Sequence, residues 1–320
     1  MKLSDLVTYR SKVDKLSTNE LSKFVHSQVD KIVNDLRTDN PGLDQEQHDI
    51  ELIRDNLFEL LNNFNESLHV FQDHLQQLVR EQEVPYIQQS YAQYDEMSTD
   101  SPGYILDRHL FHTLIYRENI KELFGSRVSK YGDWKYAGMF IRPLTGEFVD
   151  LMINCDPLYI ADEHRELLNP VKKLWSEDFQ NRLRYQLISE SDDIIFKNIP
   201  RNQLGFVVAM NFFNYRPLDV IRRYLLEILE ILRPGGVFMF TYNNCDLPGS
   251  VKNVEKSMYC YTPGRLVQTM VESLGFEIID SVDFTDTNVS WLEIKKPGSI
   301  KSLRGGQELA KIIKTPTDII

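Results

Sequence analysis

Leu232-Arg-Pro-Gly-Gly-Val-Phe-Met-Phe-Thr241, taken with Phe206-Val-Val-Ala-Met-Asn-Phe-Phe-Asn-Tyr-Arg-Pro-Leu218 before it, decides the fold. Residues 205–210 are a short apolar run, the pattern of a strand buried on both faces. Residues 218–232 place apolar side chains at helical spacing, so a helix follows. Pro234 stops that helix, and Gly235-Gly236 permits a left-handed exit. Residues 237–242 then read as a second buried strand. Strand, helix, strand in that order is a parallel crossover unit.

The alternation continues on both sides. Toward the C-terminus, a helix over 262–274 ends at Gly275, and strands follow at 276–284 and 290–295. Toward the N-terminus, strands are expected at 136–141, 157–161 and 184–188, with a short helix at 148–154 and a longer one at 165–180. A mainly parallel sheet with helices on both faces results. Chemistry then belongs at the carboxyl ends of the strands.

These stretches resemble the class I S-adenosylmethionine-dependent methyltransferases. The strand-four motif, the Leu-Arg-Pro-Gly-Gly turn, Tyr261-Thr-Pro-Gly-Arg-Leu with its helix, and Trp291-Leu-Glu-Ile-Lys-Lys-Pro-Gly occur in the family's order. The resemblance covers about residues 105–298. It implies an α/β, Rossmann-like sheet of seven mostly parallel strands, S-adenosylmethionine as cofactor and no metal. In that family an acidic residue and Gly-x-Gly-x-Gly follow the first strand. Here the run is Met139-Phe-Ile-Arg-Pro-Leu-Thr-Gly-Glu-Phe148. Phe140 stands at the acid, Arg142 and Leu144 at the first two glycines, and only Gly146 keeps the pattern. Side chains at 142 and 144 narrow the space over the loop. Asp162, closing Asp156-Pro-Leu-Tyr-Ile-Ala-Asp162, corresponds to the acid that binds both ribose hydroxyls; helix N-capping is its other reading. In Ser189-Glu-Ser-Asp-Asp193, Asp192 corresponds to the adenine contact. Asn211 ends the fourth strand, where cofactor and acceptor meet. Asn211 and Tyr215 are the catalytic candidates, with Asn214 beside them. Phe140, Arg142, Gly146, Asp162, Asp192 and Asn211 are the candidate cofactor positions. Tyr242, Asn243 and Asn244 end the fifth strand, and 245–260 is long enough for a lid.

The first 95 residues lie outside the resemblance. Ser17-Thr-Asn-Glu20 offers an N-cap before Leu21, Phe24, Val25, Val29, Ile32, Val33 and Leu36, and Asn40-Pro-Gly42 breaks that helix. A longer helix carries Ile50, Ile53, Leu57, Leu60, Phe64, Leu68, Phe71, Leu75 and Leu78, close to a heptad seam, and Pro85 is expected to end it. A bundle folded on itself and a coiled-coil seam with another subunit or a protein partner both fit. Polar residues 91–104 suggest a boundary between a helical region, 1–95, and the sheet domain, 105–298. A further helix is expected over 106–130, and 299–320 reads as a tail.

Composition narrows the function. The 320 residues carry 36 Lys+Arg and 47 Asp+Glu, a net charge of −11. Residues 1–100 hold −10 of it, which opposes a general nucleic-acid clamp. Arg222-Arg223 and Lys295-Lys296 are too short to form one. A small-molecule acceptor is therefore favoured over nucleic acid. No apolar stretch is long enough to cross a membrane, and the first residues lack the apolar core of a secretory signal. Cys155, Cys245 and Cys260 lack metal-ligand spacing and read as free thiols, which points to the cytoplasm. His69/His74 and His109/His112 read as structural. Two functions from different classes emerge. One is a methyltransferase; the other is a catalytically impaired methyltransferase-fold scaffold whose N-terminal helices mediate assembly.

Overall fold

The computed structural model describes residues 1–15, 23, 27–31, 34–35, 38, 44–97, 118–143, 146, 148–168, 176–284 and 288–298. Most of the helix expected at 21–36, its Asn-Pro-Gly break, residues 98–117 with His109 and His112, Leu144 and the tail lie outside the described residues. The chain divides into two units, Met1–Tyr86 with Asp246–Lys252, and Ile87–Cys245 with Asn253–Ile320.

The second unit is built on seven strands: β1 (Ala137–Ile141), β2 (Leu158–Asp162), β3 (Leu183–Leu187), β4 (Leu204–Ala209), β5 (Leu232–Tyr242), β6 (Glu277–Phe284) and β7 (Val289–Lys295). Their order is β3-β2-β1-β4-β5-β7-β6. β7 alone runs antiparallel, hydrogen-bonded to β5 and β6; the other pairs are parallel. β1 and β4 are neighbours at the point where the strand order reverses, and in open α/β sheets ligands bind at the carboxyl ends of the strands there. This is the class I methyltransferase arrangement, seven-stranded and mostly parallel.

The helices follow from the pattern, except that α4 (Glu177–Gln180) is a single turn preceded by a non-helical Ser176, so the helix expected over 165–180 is not continuous. α5 (Leu218–Ile231) buries Ile221, Tyr224, Leu225, Ile228 and Ile231, one helical stripe, against Val207, Ala209, Phe238 and Phe240. α7 (Gly264–Ser273) adds Val267 and Val271 to that face. α3 (Glu118–Tyr131) brings Phe124 and Val128 to the opposite face, against Phe140, Phe148 and Trp291. Behind them the buried Glu293 carboxylate accepts hydrogen bonds from Tyr131 (2.6 Å) and Trp291 Nε1 (3.0 Å) and pairs with Arg127.

Three local expectations need correction. α5 ends at Ile231 and β5 begins at once, so the glycines serve strand contact and not helix exit. Gly235 (φ 75°) donates its N–H to Lys296 O at 2.9 Å, and a Cβ on Gly236 would meet Leu204 O at 2.7 Å. The helix end is instead capped by Lys296, whose Nζ donates to Leu229 O and Leu232 O. The expected helix at 148–154 is a 3₁₀ turn, Asp150–Met152. The stretch 245–260 contains a helix, α6 (Pro248–Glu255), with Ser250, Val251 and Val254 buried, so it is a packed segment and not an open lid.

In the first unit, α1 (Leu3–Asp14) precedes α2 (Asp44–Met97). Val13, Leu68 and Leu75 form a small core, and Arg10 pairs with Asp246 at 2.9 Å. α2 has 54 residues and passes through Pro85 without stopping. Glu81, whose carbonyl loses its partner to the proline, is exposed to water. The last turns of α2 belong to the second unit. There Gln89 donates to Val254 O (3.0 Å) and Ser257 Oγ (2.7 Å), and Ser90 Oγ accepts the Tyr261 N–H (2.6 Å). Ile53, Leu57, Leu60, Phe64 and Phe71 are all exposed on the helix, Leu60 at 65%. No described helix is long and apolar enough to cross a membrane.

Candidate cofactor cleft

The first residue after β1 is Arg142, in the left-handed conformation at φ 49°. Its N–H continues the ladder to Ala161 O at 2.7 Å. The backbone keeps a shape natural to glycine, but the residue carries a long cationic side chain. That side chain is buried, its Nε 3.7 Å from Asp162 Oδ2, and its Nη2 pairs with Glu163.

Asp162 ends β2 and is 1% exposed. Its Oδ1 accepts the His164 N–H at 2.9 Å, a local cap of the following turn. Glu163 Oε2 also accepts from Arg216 Nη2 at 2.8 Å. Arg216 Nε donates to Glu190 Oε1 at 2.5 Å, and Nη1 to Phe212 O at 3.1 Å. Glu190 Oε1 accepts from Tyr224 at 2.7 Å, and Glu190 Oε2 accepts from Tyr94 of α2. The guanidinium carbons of Arg216 and Arg142 lie 3.4 Å and 5.0 Å from the Phe212 ring centre. Two guanidiniums and three carboxylates thus form one connected, water-poor network at the carboxyl ends of the strands.

The titrations follow from this geometry. Burial pushes the Glu190 carboxyl up, but Arg216 and hydrogen bonds from Tyr94, Tyr224 and Arg216 outweigh it and hold it at about 2. Burial raises Glu163; Arg216 and Arg142 pull it back, while Glu190 adds to the rise. Burial, then Glu190, raises the Tyr94 and Tyr224 hydroxyls. Arg216 is raised: its carboxylates outweigh the opposing effect of burial.

Asp162 and Arg142 meet directly. Asn211, also left-handed at φ 49°, is buried; its N–H donates to Thr241 Oγ1 (2.6 Å), and its Oδ1 accepts from Asn214 Nδ2 (2.7 Å). Tyr215 is buried edge-on to Tyr259, ring centres 5.2 Å apart. Gly146 (φ 74°) closes a turn onto Pro143 O at 2.9 Å. Phe140 packs in the core beside Phe124 and offers no polar group. Asp192 points to Lys197 at 2.8 Å and does not join the network. Glu163, Glu190, Arg216, Tyr94 and Tyr224 were not singled out from sequence. The adjacent acids at 162 and 163, facing an arginine in a glycine position, were the available signal. Among the described residues no group of His, Cys, Asp and Glu could hold a metal ion.

The cofactor implied by the fold can be tested against these residues. A ribose diol at the acid ending β2 would need an open approach to that acid's oxygens, each of which can accept more than one hydrogen bond. One Asp162 oxygen holds the His164 N–H, and the other faces Arg142. Arg142 places a buried guanidinium beside Asp162 where a glycine would carry no side chain. The residues as they stand do not fit S-adenosylmethionine.

No protein-family model matches the chain, and no curated protein matches it. Similar solved structures exist. The N-methyltransferase NodS from Bradyrhizobium japonicum, in complex with S-adenosyl-L-homocysteine, is 14% identical, covers 65% of this chain and 99% of its own, and has a TM-score of 0.43. A SAM-dependent methyltransferase from Aquifex aeolicus is 12% identical, covering 62% of this chain and 100% of its own, TM-score 0.43. A possible exported protein from Bordetella parapertussis is 12% identical, covering 56% of this chain and 67% of its own, TM-score 0.44.

Proposed function

We propose that this chain is a methyltransferase-fold module with a cofactor cleft closed by its own side chains, and that it works by association through its N-terminal helices. The observation that carries this reading is the buried Arg142 side chain between Asp162 and Glu163. The helical region, about 1–95, is the assembly part, and 105–298 is the Rossmann-like scaffold. The occupant of the exposed α2 seam is a second copy of the chain. Ile53, Leu57, Leu60, Phe64 and Phe71 repeat at heptad-compatible spacing, which matches another helix running alongside. Sedimentation equilibrium tests this part. A concentration-dependent dimer supports it; a monomer at all concentrations overturns it and assigns the seam to the chain's own segment or to a different protein.

A second reading is an S-adenosylmethionine-dependent methyltransferase acting on a small-molecule acceptor in the cytoplasm. Asp162 at the end of β2 and Asn211 just beyond β4 favour it, with Tyr215 in the 3₁₀ turn that follows, and Gly146 keeps a left-handed conformation. There the chain's contribution would be to orient an acceptor near Asn211. Calorimetry with S-adenosylmethionine separates the two, with Asp162→Ala as control. Micromolar binding lost in the variant supports the enzyme; no binding at millimolar ligand supports the closed module.

A further inference from the structure

We propose that Arg142 is the residue that bars S-adenosylmethionine from this cleft, and that a single exchange to glycine reopens it. The inference rests on the closed-cleft reading above. Three observations carry it.

The backbone at 142 already has φ 49°, a conformation glycine adopts freely, so the loop need not rearrange when the side chain is removed. The rest of the network does not depend on Arg142 for its position. Arg216 remains held by Glu190, Glu163 and the Phe212 carbonyl, and Glu190 by Tyr94 and Tyr224. The third observation is charge. With Arg142 in place, two guanidiniums face Asp162, Glu163 and Glu190. Without it, one guanidinium faces three carboxylates. The sulfonium and ammonium groups of S-adenosylmethionine would return the missing positive charge to a site that disfavours unpaired anions. The vacated space lies against Asp162 Oδ2, the oxygen a ribose hydroxyl would need.

The test is thermal unfolding of the full chain with and without millimolar S-adenosylmethionine, for wild type, Arg142→Gly and the double variant Arg142→Gly/Asp162→Ala. Ligand that binds only the folded state raises Tm with its concentration. The expected result is no shift for wild type, a concentration-dependent rise for Arg142→Gly, and loss of that rise in the double variant. Arg142→Asn, whose side chain tolerates left-handed backbone, is run in parallel. A folded Arg142→Gly that ignores the ligand overturns this inference and leaves the closed-cleft reading standing. A wild-type shift overturns both. If neither Arg142→Gly nor Arg142→Asn folds, Arg142 is a structural tie and not a bar, and the inference fails.

Discussion

Holding an arginine at φ 49° costs about 1 kcal/mol of backbone strain. The carboxylates of Asp162 and Glu163 offset it, so loop shape and ion pairs maintain each other. Glu190 is the other anchor. Glu190→Gln leaves Arg216 short of a charge partner and should cost about 3 kcal/mol at neutral pH, read by denaturant unfolding. The sign of its pH dependence follows from its direction. Glu190 is held below its ordinary value of 4.5, so its stabilisation is present above that value and is lost as pH falls toward about 2. The gap between variant and wild type should therefore shrink across that window. Glu163, raised by burial, acts in the opposite sense: its contribution is present at low pH and lost as pH rises through its raised value. Asp162 was legible because a strand followed by an acid is a local pattern. Glu190 was not, although it lies two residues from Asp192. Which acid of a polar loop turns inward is set by Arg216 and Tyr224, and both are remote in sequence.

At the scale of elements, α2 bears two apolar seams with different fates. Leu68 and Leu75 are buried with Val13, whereas Leu60 and Phe64 are exposed. Leu75→Ala should cost about 3 kcal/mol in unfolding experiments. Leu60→Glu should leave Tm of the dilute protein nearly unchanged and abolish dimer formation in sedimentation. Equal destabilisation by both would mean the exposed seam is covered within the chain. The helix itself was legible from its spacing, but its end was not. Proline costs a helix about 3 kcal/mol locally, and the helical residues on either side outweigh that when packing continues beyond it. The Leu-Arg-Pro-Gly-Gly turn shows the converse. That it leads from α5 into a strand was readable, but not that it is itself the start of β5, because Lys296 and Leu204, its true contacts, arrive from elsewhere in the sheet.

For the whole molecule, charge and fold divide along the chain. Residues 1–100 carry −10 of the net −11, so two copies meeting through α2 repel one another at long range. Dimerisation should therefore strengthen as salt rises from about 0.01 M to about 0.15 M, because the Debye length falls from about 30 Å to about 8 Å. The seven strands and their flanking helices were largely legible, since buried strands and amphipathic helices are local signals; their order in the sheet was not, because it is set by pairings between stretches remote in sequence. The state of the cleft was not, because it depends on five side chains brought together from four separate stretches.

That cluster also constrains how the sequence can change. Arg142, Glu163, Arg216 and Glu190 each compensate the charge of another in a place with little water. Losing Arg216 or Glu190 strands its partner, so single substitutions at those two are penalised while paired ones are tolerated. Across descendants of this chain the four positions should drift as a linked set, and a lineage that regained glycine at 142 would have to do so under selection for whatever then filled the space.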